Sequence, residues 1–251
     1  MTLRNPDREA VAHGHITNEP IRQKPGVPSW VLKLIMAVTG LLFALFVVGH
    51  MAGNLKLYLP ANGGEEALDE YGAFLRSMGE PLFPHEGALW IIRAVLLVAI
   101  IAHIYGAIAL TVRSKASRGK FRRSNLMGGL DSFATKSMLV TGIVLLLFII
   151  FHLLDLTLGV QPIAPGDFVE GAVKANMIAT FSRWPVTIVY VIAMCFLFLH
   201  LTHGIRLAAS DLGITGAKWR QTFLILAYVI PAVVCIGNIV MPLSVALGLV
   251  S

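Results

Sequence analysis

Charge is what this sequence has least of. Only 14% of its 251 residues are Asp, Glu, Lys or Arg, against 56% hydrophobic, and the mean hydropathy is +0.75. A soluble domain carries ~25% charged residues, so this chain cannot cover a water-facing surface. That excludes an ordinary cytosolic enzyme, a disordered chain and a soluble nucleic-acid binder. Cysteine is scarce too. Cys195 and Cys235 each lie inside an apolar run, with no C-x-x-C, which argues against a covalently attached c-type haem, an iron–sulfur cluster and a zinc ribbon. What remains is an integral membrane protein.

Five runs can cross ~30 Å of hydrocarbon, which takes about 20 helical residues: Trp30–Gly53, Ala88–Val112, Ala134–Gly159, Pro185–Ala208 and Phe223–Leu249. The expected fold is therefore an all-α integral membrane bundle of five transmembrane helices over residues 30–251, behind a polar tail of residues 1–29. The long tail and long first run do not read as a cleaved signal peptide. Pro231 should bend the fifth helix, which neighbouring helices make tolerable. No internal repeat is evident.

Charge placement sets the orientation. The stretch Arg113–Arg123 holds six basic residues and no acidic one, and short Lys/Arg-rich loops stay cytoplasmic. The tail, with Arg4, Arg8, Arg22 and Lys24, falls on the same side, as does the short loop with Arg206, Lys218 and Arg220. The loop after the first span, with Glu65, Glu66, Asp69, Glu70, Glu80 and Glu86, falls on the other. The N-terminus is expected inside and the C-terminus outside. The basic loop serves first as this topology signal, and its charges also suit lipid head groups or a docked cytoplasmic partner.

Polar residues inside membrane spans are rare and usually functional. Each of the first four spans carries a histidine (His50, His103, His152, and both His200 and His203), and the fifth carries none. At 1.5 Å per residue, His50 and His152 lie about 20 and 17 residues along outward-running helices, whereas His103 and His200 lie about 8 residues short of the inner end. Two pairs result, separated by roughly 14 Å along the membrane normal. Paired neutral imidazoles from facing helices can hold one iron from both sides in a bundle core, so the pattern points to two b-type haems. Gly49, Gly53, Gly106 and Gly204 near the ligands leave room for a macrocycle, or simply for helix packing. His200 and His203 share a face, and either can reach the iron. Gly204, one turn beyond His200, favours His200 and leaves His203 as a neighbouring or propionate contact. His13, His15 and His85 lie in the tail or a loop and read as solvated.

Several motifs carry a resemblance: "GHMAGNL" at Gly49–Leu55, "RAVLLVAIIAHIYGA" at Arg93–Ala107, "FHLLD" at Phe151–Asp155 and "HLTHGIRL" at His200–Leu207. With one histidine in each of four consecutive spans, the chain resembles the cytochrome b membrane anchor of succinate dehydrogenase and menaquinol:fumarate reductase, in its single-subunit, two-haem form. The last motif is similar to the family's H-x-x-x-G-x-R, which implies His200 as ligand rather than His203. The resemblance implies an inner haem on His103 and His200, an outer one on His50 and His152, and a bacterial-type cell membrane. It further implies cytoplasmic flavoprotein and iron–sulfur subunits docked near Arg113–Arg123, and a quinone, by resemblance menaquinone, as electron partner. Further small membrane subunits are compatible with it, and nucleic acid is not a partner. One departure stands out. The family can carry protons on a glutamate of the fourth helix, but Pro185–Ala208 has no Asp or Glu, and the nearby Phe198 is apolar.

A quinone needs a proton partner beside an apolar slot. In the outer loop, Leu68, Tyr71, Phe74 and Leu75 recur at helical spacing and could rest on the bilayer, and Glu66, Asp69 and Glu70 are candidate proton acceptors. The plainer reading is that these acids solvate the loop. An inner alternative would need Ser29, Trp30 and Arg93 together. Asp155 is the one obvious carboxyl within a span, suited to an outer quinone or haem environment. Two other classes compete. An anchor of formate dehydrogenase or hydrogenase type arranges its ligands differently, and a proton-relaying transporter often shows inverted repeats.

Overall fold

The computed structural model describes residues 26–61, 66–118 and 129–250. The tail with its four basic residues, His13 and His15, Glu65, and residues 119–123 of the basic Arg113–Arg123 stretch lie outside these. Among the described residues there are seven α-helices and no strand: α1 (Ser29–Asn54), α2 (Ala67–Ser77), α3 (Gly87–Arg118), α4 (Gly129–His152), α5 (Val173–Phe181), α6 (Trp184–Asp211) and α7 (Ala217–Ala246). Five of these are long and apolar enough to span a membrane. In hydrocarbon no water can satisfy a free backbone group, so an apolar segment closes its hydrogen bonds within itself, as a helix.

The helices outrun the apolar segments. The fifth begins at Ala217 rather than Phe223, because Lys218 and Arg220 occupy a first turn that is helical without being apolar. Hydropathy marks the part of a helix that sits in lipid, and hydrogen bonding sets its ends. α6 and α7 stop in the same way. Gly213 (φ +81°) and Gly248 (φ +72°) take the left-handed conformation. The next amide then reaches back, Ile214 N–H to the Ala209 carbonyl at 3.0 Å and Leu249 N–H to that of Ser244 at 2.8 Å, which satisfies carbonyls that the helix end would otherwise leave unpaired. α7 runs continuously through Pro231 and Pro242.

Close packing joins α1 to α3, α1 to α6, α4 to α6 and α6 to α7. Large apolar side chains such as Leu45, Leu97, Val98, Ile101, Leu147 and Ile236 face outward, as a lipid solvent allows. At one end, Arg113 donates to the Ser29 hydroxyl (3.1 Å) and Lys33 pairs with Asp211 (3.4 Å), tying α1, α3 and α6 together. At the other end α2 and α5 form a cap. Leu57, Leu68, Met177, Phe181, Tyr190, Met241 and Val245 make one buried cluster there. The cap is fastened by the Lys174 ammonium on Glu66 (3.2 Å), by the Lys174 amide on Asp69 Oδ1 (2.8 Å), and by Tyr58 on Ser244 (2.9 Å). After His152 the backbone of α4 widens into a π-helical turn, Leu153–Thr157.

Candidate functional site

The four span histidines meet in two pairs. His50 of α1 and His152 at the end of α4 have ring centres 5.8 Å apart, with planes at 84°. His103 of α3 and His200 of α6 have ring centres 6.4 Å apart, at 57°. Each pair therefore spans two helices, α1/α4 or α3/α6, that are not among the closely packed partners. His203, three residues past His200, is partly buried; the ring opposite His103 is that of His200.

Hydroxyl groups hold three of these rings. Thr39 Oγ1 gives its proton to the Ile35 carbonyl (2.6 Å), so toward His103 Nδ1, 2.9 Å away, its oxygen accepts. Thr141 Oγ1 likewise donates to the Met138 carbonyl (3.0 Å) and accepts from His200 Nδ1 at 3.1 Å. The Tyr190 hydroxyl donates to Asp155 Oδ2 (3.1 Å) and accepts from His152 Nδ1 at 3.2 Å. All three rings carry their proton on Nδ1, and the lone pair on Nε2 is left for a metal or another donor.

The surroundings repeat. Phe46 stacks on His50 (5.4 Å, 17°) and Phe148 on His152 (5.9 Å, 27°), in each case from four residues earlier. Alongside this, "VTGLLFALFVVGH" at Val38–His50 and "VTGIVLLLFIIFH" at Val140–His152 share six of thirteen positions. A short internal repeat is thus present after all, hidden because the intervening positions are interchangeable aliphatics. Thr and His in each copy are eleven residues apart, three helical turns and ~16 Å.

Glycines divide by role. A side chain at Gly40 would meet His103 Cε1 at 3.4 Å, and one at Gly142 would meet His200 Cε1 at 3.6 Å, so each imidazole of the inner pair lies against the glycine that follows the threonine. Of the glycines singled out from the sequence, Gly53 is backed by Tyr71 and Gly106 by Met36, so both serve packing between elements, whereas Gly49 and Gly204 have no heavy atom within 4 Å of a would-be Cβ.

Asp155 lies on the π-turn with no solvent exposure. Its Oδ1 accepts from Arg183 Nη2 (2.7 Å) and Thr180 (3.3 Å), and Oδ2 from Tyr190. Arg183 also bonds the Ile163 carbonyl (2.7 Å). A hydrogen-bonded chain Arg183–Asp155–Tyr190–His152 results, buried at Asp155 and Tyr190 and partly exposed at Arg183. The loop acids behave differently. Glu66 and Asp69 are both engaged by Lys174, and Glu70 is exposed. Ser29 and Arg93 do not come together. Arg93 pairs with Glu86 (3.3 Å) at the start of α3, while Ser29 meets Arg113, twenty residues further along that helix.

The donor set fits a haem. A metal bound to two opposed imidazole nitrogens at ~2.0 Å each separates the ring centres by roughly 6 Å once the nitrogen-to-centre offsets are added, and 5.8 and 6.4 Å bracket that value. Among the described residues no three His, Cys, Asp or Glu side chains converge on one point, so each pair offers two protein ligands, the number a haem iron takes.

Residues 114–237 match the family of succinate dehydrogenase/fumarate reductase transmembrane subunits. The chain resembles that family across the stretch holding His152, His200, His203, Thr141, Tyr190 and Asp155, and the five apolar helices agree with a multi-pass membrane subunit. No curated protein and no solved structure matches the chain. Sequence reasoning missed Thr39, Thr141 and Tyr190. The recurrence of V-T-G eleven residues before a histidine was the available signal for the two threonines; Tyr190 left none, because its partner lies 38 residues away.

Proposed function

We propose that this chain is the di-haem cytochrome b anchor of a succinate:quinone oxidoreductase, carrying electrons between an iron–sulfur subunit on the cytoplasmic side and a membrane quinone, menaquinone by resemblance. The observation that carries the reading is the two facing histidine pairs at two depths, seen together with the family match. His50 and His152 would hold the outer haem b, and His103 and His200 the inner one. Each haem, when bound, supplies a one-electron couple. The protein's part is to present Nε2 from both sides, to fix Nδ1–H by a hydroxyl on His103, His152 and His200, and to keep water out with apolar helices. The flavoprotein and iron–sulfur partners, the cytoplasmic N-terminus and the bacterial-type cell membrane belong to the same proposal. So does an outer quinone site, for which Glu70 is the exposed candidate acid while Glu66 and Asp69 are tied to Lys174.

A dithionite-reduced minus oxidised spectrum of the purified protein tests this directly. Two b-type components are expected. His50→Ala or His152→Ala should remove one component, and His103→Ala or His200→Ala the other. A spectrum without b-type bands overturns the reading. An inner component lost in His203→Ala but kept in His200→Ala overturns the choice of ligand on α6.

A further inference from the structure

The repeat on α1 and α4 links the two depths. Each copy offers its histidine to the outer pair. Three turns earlier on the same face, since eleven residues rotate by nearly whole turns, it offers a threonine to a histidine of the inner pair on the next long helix: Thr39 to His103, and Thr141 to His200. The two contacts share one plan. The hydroxyl proton is spent on a carbonyl three or four residues back, Ile35 or Met138. The oxygen therefore only accepts from the imidazole, and a glycine follows so that the ring can lie close. Neither threonine is needed to satisfy the helix, whose carbonyls already have amide partners. In the outer pair His152 is held otherwise, through Tyr190 and a buried carboxylate, and His50 is stacked on Phe46.

We propose that Thr39 and Thr141 are positioning residues for the inner histidine pair, fixing each imidazole in its Nδ1–H form with Nε2 directed at the opposite ring and setting its donor strength. An imidazole that donates its second N–H is a stronger electron donor, and such partners orient the ring as well. The potential of the iron the pair would hold then depends on both hydroxyls. The inference rests on the haem reading.

Its test is a set of four full-length variants, Thr39→Val, Thr141→Val, Thr39→Ser and Thr141→Ser, examined by redox titration of each b-type component and by electron paramagnetic resonance of the low-spin ferric signals. Valine keeps the shape and removes the hydroxyl; serine keeps the hydroxyl and removes the methyl. The valine variants are expected to shift the inner component's potential upward and change its ferric signal, or to lose that component alone. The serine variants and the outer component should stay as in the unsubstituted protein. Valine variants indistinguishable from the unsubstituted protein overturn the proposal, as do serine variants that fail in the same way as valine. Absence of b-type components from the unsubstituted protein defeats the haem reading instead, so the two failures are distinguishable.

Discussion

Asp155 is the most demanding single residue in the described structure, an acid with no solvent exposure near the end of a membrane span. Burying a charge is tolerable only when it is paired and hydrogen-bonded, and here Arg183, Thr180 and Tyr190 all address its two oxygens. Removing one partner of such a pair strands the other. Arg183→Met should therefore destabilise the protein by about 3 kcal/mol, the lower end of what broken buried pairs cost because the arginine is itself partly exposed. Asp155→Asn with Arg183→Met should recover part of that loss, since no uncompensated charge remains. Thermal unfolding in detergent reads both, and equal stability of Arg183→Met and the unsubstituted protein would show that Asp155 is neutral or otherwise solvated. Sequence reading singled out Asp155 because an acid in an apolar run is conspicuous. It missed both chief partners, because Arg183 falls in the connection before α6 and Tyr190 passes as one aromatic among many.

Among the elements, the spans were the most legible and the cap the least. A run of about 20 apolar residues needs no knowledge of its partners to be read as a helix in a bilayer. α2 was legible in part. Its apolar spacing is real, and Leu68 is buried while Phe74 is 57% exposed, so the helix sits on the bundle by one edge instead of lying with its whole apolar face on lipid. α5 and the π-turn after His152 gave no such signal, because nine residues carry too little periodicity and a π-turn depends on tertiary partners. What seats α2 is Tyr71 against Gly53, where a Cβ would come within 2.5 Å of the ring, with Lys56 above the same ring at 5.6 Å. Gly53→Ala must displace that ring, at a cost of ~1–3 kcal/mol as for other overpacked sites. Combined with Tyr71→Ala it should cost much less than the two changes summed, a coupling of at least ~1 kcal/mol for residues in direct contact. Strict additivity in thermal unfolding would mean that Tyr71 does not seat α2 on α1.

At the scale of the whole molecule, the two histidine pairs are held on one frame. α1 and α4 each contribute to both depths, so the ~16 Å between levels is set by three turns of helix and does not depend on how loops close. Were a haem held at each level, as proposed, an offset of this size would bring the two within electron-tunnelling reach. If the outer pair is the exit to quinone, then in the assembled complex His152→Ala should leave succinate-driven reduction of the inner b-type component intact and stop reduction of the quinone pool. The inner pair would be undisturbed in that variant, since its rings are held by Thr39 and Thr141 and not by His152. Tyr190 would lose one partner and keep Asp155, so the cap should stay folded, as thermal unfolding can verify. Two outcomes of the same measurement point elsewhere. Unchanged quinone reduction with the outer component absent would place the quinone on the cytoplasmic side, near Ser29 and Arg113. Loss of inner reduction as well would mean that the two levels do not act in series from the cytoplasmic face outward.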